Sequence, residues 1–201
     1  MAQQRVTVTP TPAPTPLSAE SPWDESTRPE PGDGQPRTYP PAKAGAPQHL
    51  IDIHDHLRSE LEQVRDLARQ VREGAKDVGA ARSELHEMSI RQNSWTLGAY
   101  CQSYCRIVTG HHGLEDRSVF PHLRRADPTL APVLDRLEAE HLVIHDLLNE
   151  IDRALVTLVT DGPEGLGQLD AVVDLFTDAL LSHLSYEERQ LVDALAEHSF
   201  Y

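Results

Sequence analysis

Residues 111–116 read His111-His112-Gly113-Leu114-Glu115-Asp116, with His111 and Glu115 four positions apart. On an α-helix that spacing places both side chains on one face, one turn above the other. The same spacing returns as His183 and Glu187 in HLSYE, and as His141 and His145 in HLVIH. Three pairs of metal-ligating residue types, each on its own predicted helix, are hard to obtain by chance. The pattern predicts a metal site inside a helix bundle.

Working outward, each pair continues an apolar stripe. Leu97, Cys101, Tyr104 and Val108 lead into His111 and Glu115 on a helix expected from near Ser83 to about Val119, with Phe120-Pro121 ending it. Asp127-Pro128 has the form of an N-cap followed by proline, opening a third helix with Leu134, Leu137, His141, Ile144, His145, Leu148, Ile151 and Leu155 facing inward. Asp161-Gly162-Pro163 breaks it. A fourth helix carries Leu169, Val173, Phe176, Leu180, His183, Glu187 and Leu191 on one side. The first helix, from Leu50 to the glycines at 74 and 79, has the stripe Leu50, His54, Leu57, Leu61, Val64, Ala68 and Val71. A single histidine on an apolar face is commonly a core residue; beside three ligand pairs, His54 is read as a fourth contribution to the site. His112 projects about 100° away from His111 and is read as a flanking or supporting residue. Asp116 and Glu188 are read as surface or supporting carboxylates, and Tyr104 as a core tyrosine. His49, His56, His86, His122 and His198 fall outside the layer and are expected on the solvent side.

The predicted fold is therefore all-α, an antiparallel up-down-up-down four-helix bundle over residues 48–201. Residues 1–47 differ in kind, holding eleven of the fifteen prolines among Thr, Ala, Gly and Ser. Such a segment buries too little apolar surface of its own to offset its ordering entropy, so it is expected to be a disordered Pro-rich tail. The two cysteines, Cys101 and Cys105, sit on one helix and suggest no disulfide framework. A formal charge of −14 argues against nucleic acid or an anionic membrane as partner. With no apolar run long enough to span a bilayer and no secretory signal, a cytoplasmic location is expected.

If the helices pack in order, His54, His111, Glu115, His141, His145, His183 and Glu187 meet in one layer. This set is too large for a four-coordinate structural zinc and too rich in imidazole for calcium or magnesium. It suits two metal ions, with carboxylates bridging and imidazoles terminal. Non-haem iron is the first choice, manganese or a mixed pair the next. Left without metal, this many buried polar groups would lack partners at a few kcal/mol each (about 1–3).

The motifs HHGLEDRSVFPHL, HDHLRSEL, EHLVIH and HLSYEE together resemble the hemerythrin-like HHE cation-binding domain over about residues 48–197. The resemblance implies a four-helix bundle around a non-haem di-iron centre, with ligand roles for His54, His111, Glu115, His141, His183 and Glu187. His145 is implied only by the oxygen-carrying members, which use both histidines of the third helix. Those carriers have HxxxxD where this chain has HxxxE on the fourth helix, a departure that weighs against reversible oxygen carriage. The expected function is a di-iron protein that coordinates O2 or a related diatomic or peroxide ligand; the alternative is an enzyme that removes peroxide or nitric oxide at the same centre.

Overall fold

Stripes of Leu, Ile and Val at spacings of three and four need a facing surface, and four such helices satisfy one another. The computed structural model describes the backbone of residues 5–77, 84–161 and 166–198, and the side chains of these apart from residues 74–95 and 159–161. Its helices are α1 (Pro41–Asp77), α2 (Glu84–Leu114), α3 (Phe120–Ala126), α4 (Ala131–Asp161) and α5 (Leu166–Glu197). A single π-helical turn, Glu115–Val119, joins α2 to α3, so the two form one continuous rod. Around the bundle α1 packs on α2 and α5, and α4 packs on the same two, which is the expected four-cornered arrangement. The expected start near Ser83 and the Gly162-Pro163 break lie at or within stretches outside the described residues, as does the side chain of His86.

Every inward stripe position named from the sequence on α1 and α5 is buried, and so are Leu97, Cys101, Tyr104 and Val108 on α2. The polar layer divides this interior in two. One apolar cluster runs from Leu57 and Tyr104 to Phe176 and Leu184; the other gathers Leu50, Phe120, Leu123, Leu134, Leu137 and Leu191. The Tyr104 hydroxyl donates to the Leu57 carbonyl at 3.0 Å, as befits a core tyrosine.

Phe120-Pro121 does not end the second helix. The Phe120 N–H donates to the Glu115 carbonyl, five residues back, and the chain stays helical through the proline. The wider turn absorbs one extra residue, so the buried face passes from Glu115 to Phe120 and then Leu123. The break expected at the proline is thus a change of phase within one rod.

The Pro-rich segment also departs from expectation, for it lies against the bundle from Arg5 onward. Strand β1 (Val6–Val8) pairs antiparallel with β2 (Arg37–Tyr39), and Val8 and Tyr39 pack on Ile51, Val192 and Ala196. Between the strands the chain runs along α5: the N–H groups of Leu17 and Ser18 donate to Asp178, and that of Gly32 to Gln190 Oε1 at 2.8 Å. At Gly32 a Cβ would stand 2.4 Å from the Arg189 carbonyl oxygen, so only glycine allows this approach. The segment needs no core of its own because α5 supplies both acceptors and an apolar flank. Prolines, which lower the entropy of the undocked chain, reduce the cost of laying it down.

Candidate metal centre

The four corners of the bundle each send imidazole or carboxylate groups to one level. His54 comes from α1, His111 and His112 from the end of α2, Glu115 from the start of the π turn, His141 from α4, and His183 and Glu187 from α5. They fall into two groups, His54–His111–Glu115–Glu187 and His112–His141–His183, within each of which potential ligand atoms all lie within 4.8 Å of one another. The two glutamates stand between the groups. Glu115 places Oε1 3.2 Å from His111 Nε2 and Oε2 3.6 Å from His141 Nε2. Glu187 Oε2 lies 3.5 Å from His54 Nε2 and 3.7 Å from His183 Nε2. Each carboxylate thus faces one imidazole of either group.

Behind the imidazoles stand further carboxylates. His54 Nδ1 lies 2.9 Å from Glu188, His141 Nδ1 2.7 Å from Asp116, and His183 Nδ1 3.1 Å from Glu140. A carboxylate on Nδ1 fixes the tautomer with Nε2 unprotonated and aimed inward. Asp116 and Glu188 therefore have the supporting role read from the sequence; Glu140 was not singled out there.

Burial sets the electrostatics. It pushes the His111 imidazole down to about 2 and, against a hydrogen bond to Glu140, His183 down to about 4. It lowers His54 and His112 well below the usual histidine range, and raises Glu115, which faces Glu187, well above the carboxylate range. Glu187 is pushed up to about 8. These four imidazoles are therefore neutral electron-pair donors at pH 7. Moreover, Nε2 of His112, His141 and His183, Oε2 of Glu115 and both oxygens of Glu187 are buried without a hydrogen-bond partner. At about 1–3 kcal/mol each, six such atoms rival the whole net stability of a domain. Multivalent cations would satisfy these lone pairs and hold the carboxylates ionised, so the residues present fit a metal site.

The chain matches the model of the hemerythrin HHE cation-binding domain over residues 46–195. It belongs to that family. Comparison with curated proteins and with solved structures gave no match. The hemerythrin-type layer unites His54, His111, Glu115, His141, His183 and Glu187 of the seven residues proposed from the sequence.

Two histidines depart from that reading. His145 is exposed and belongs to neither group; it lines a small cavity with Cys101, Cys105 and Asp152. On α4 the buried arc runs through Leu137, Ile144, Leu147, Leu148 and Ile151, and His145 lies about 100° beyond Ile144 on the outward side. His112, read as a flanking residue, takes the place in the second group, with its ring stacked on His141 at 4.0 Å between centroids. Two side-by-side groups subtend a wider arc than one stripe, so neighbours about 100° apart on α2 serve one group each. The paired letters HH directly before the spacing to Glu115 were the available signal.

Proposed function

We propose that this layer binds two non-haem iron ions, and that the loaded centre coordinates O2 or a related small ligand as a binding or sensing device. The observation that carries the proposal is the pair of ligand groups, one with two imidazoles and one with three, spanned by two buried glutamates whose inward atoms lack partners. Nitrogen and carboxylate oxygen without thiolate favour iron or manganese over structural zinc. Iron bound by these residues would supply redox chemistry and a coordination position for a diatomic ligand. The chain's own residues hold the centre, fix imidazole tautomers through Glu140, Glu188 and Asp116, and exclude bulk water. Among the described residues, the ionisable groups at this level are candidate ligands, carboxylates held against their imidazoles, and the arginines paired with those carboxylates, an arrangement that favours binding over turnover.

The test is iron analysis of freshly purified protein from iron-replete cells, followed by reduction, exposure to O2 and optical spectroscopy. About two irons per chain and a charge-transfer band on O2 exposure are expected. One tightly held zinc and no iron would overturn the reading. Sustained O2 evolution from peroxide, abolished in Glu187→Ala with helix content retained, would replace the binding function by the enzymatic one.

A further inference from the structure

The helices alone do not complete the surroundings of the metal layer. The Pro-rich segment lies largely ahead of the family match, which begins at residue 46, yet it enters the supporting shell of both ligand groups. Arg28 is delivered by the short 3-10 turn Glu25–Thr27 and is 7% exposed. Its Nε donates to Glu140 Oε1 at 2.8 Å and its Nη2 to Oε2 at 2.9 Å, a two-pronged pairing between side chains that are each 2% exposed. Its Nη1 donates to Ser182 Oγ at 2.8 Å, and the guanidinium lies over the rings of Tyr186 and Trp23, at 4.6 and 5.4 Å. The same Glu140 Oε2 accepts from His183 Nδ1 at 3.1 Å. On the opposite side the Thr11 N–H donates to Glu188 Oε2 at 2.6 Å, while Glu188 Oε1 serves His54 Nδ1 and Arg58.

We propose that Arg28 is a positioning residue of the metal centre, acting through Glu140 on His183. The proposal rests on reading the layer as a metal site. A planar guanidinium in two-point contact fixes the rotation of the Glu140 carboxylate as a single contact cannot. That rotation decides where Oε2 sits, hence the tilt of the His183 ring and the aim of its Nε2. The remaining cation on Glu140, Arg136, reaches only Oε1, at 2.6 Å. Without Arg28 the buried Oε2 keeps the His183 contact, and the carboxylate turns about Arg136. Reciprocity follows: the Arg28–Glu140 pairing favours metal, and metal favours that pairing.

The experiment uses the full chain, stripped of metal and titrated with cobalt(II), whose visible bands report ligand geometry without reference to any activity. Affinity is measured by competition with a chelator and helix content by circular dichroism. The variants are Arg28→Gln, Arg28→Lys, Arg28→Gln/Glu140→Gln and Arg37→Gln. Arg37 anchors the same segment through Asp193 without touching Glu140, so it controls for loosened docking. Arg28→Gln should lower cobalt affinity about tenfold or more and alter the bands, the scale seen when a ligand's supporting group is lost. Arg28→Lys, with charge but no fork, should recover part of both, and Arg37→Gln should match wild type. Should Arg28→Gln fail to fold, the double variant removes the unpaired charge and is held to the same loss. Wild-type affinity and bands in a folded Arg28→Gln or double variant, with wild type still taking cobalt, would overturn the positioning role alone. Equal losses in Arg28→Gln and Arg37→Gln would reduce Arg28 to an anchor and overturn it too. A wild-type chain that takes neither cobalt nor iron would overturn the metal reading itself.

Discussion

His112 stands beside one of the ligand pairs and His145 belongs to another, and burial separates them. His112 is buried with an unpartnered Nε2 facing His141 and His183, whereas His145 points to solvent. His112→Ala should therefore cut metal content by about half and lower the thermal midpoint of the loaded protein, because it removes one of three imidazoles from one group. His145→Ala should leave both unchanged. Metal analysis after gel filtration, with thermal melts of the same samples, checks the pair. Equal behaviour of the two variants would mean that α2 and α4 present the opposite faces.

Among the elements, the π turn sets how the rod packs beyond the metal layer. It begins at Glu115 and shifts the phase of the rod so that Phe120 and Leu123, both fully buried, enter the second apolar cluster. Inserting one alanine after Arg117, an exposed residue within the turn, would add a second residue that a single wide turn cannot absorb and rotate Phe120 and Leu123 by about 100° off the core. Each is a large side chain whose removal from a core costs about 2–5 kcal/mol, so a loss of at least about 3 kcal/mol is expected in urea unfolding. A folded insertion variant with an unchanged midpoint would show that the phase of the rod beyond the turn carries no packing. The Pro-rich segment teaches a related lesson. Its composition was legible as unable to make a core, yet the face of α5 it covers is also apolar: Val172, Ala179, Tyr186 and Val192 are buried on that helix besides its inner stripe. A helix buried nearly all round announces a second covering layer, and that was the signal in the sequence.

At the scale of the whole molecule, the buried titratable layer makes stability depend on pH and metal together. In the metal-free chain His111 and His183, held near 2 and 4, stay neutral where the unfolded chain protonates them below about 6.5. The unfolded state then binds more protons, so stability is lost as pH falls below about 6.5. Glu187, raised to about 8, keeps its proton in the fold where the unfolded chain has released it above about 4.5. Its contribution is lost as pH climbs through about 8. The metal-free thermal midpoint should peak near pH 6–7 and fall on both sides, as melts across pH 4–9 would record. Metal at 100 times its dissociation constant should add about 2.7 kcal/mol per site, with protons released on loading. A flat profile without metal would place these groups in water. No helix among the described residues is long and apolar enough to cross a membrane. The repeated spacing of His and Glu within apolar stripes determined four helices and six of the metal-layer residues, because local periodicity alone decides which side chains share a face. Tertiary structure decided the rest. The choice of His112 over His145 depends on where two neighbouring groups sit between helices, and Glu140 meets His183 across 43 residues of chain and Arg28 across 112. No local period encodes a contact of that span; it exists only once the Pro-rich segment has been laid against α5.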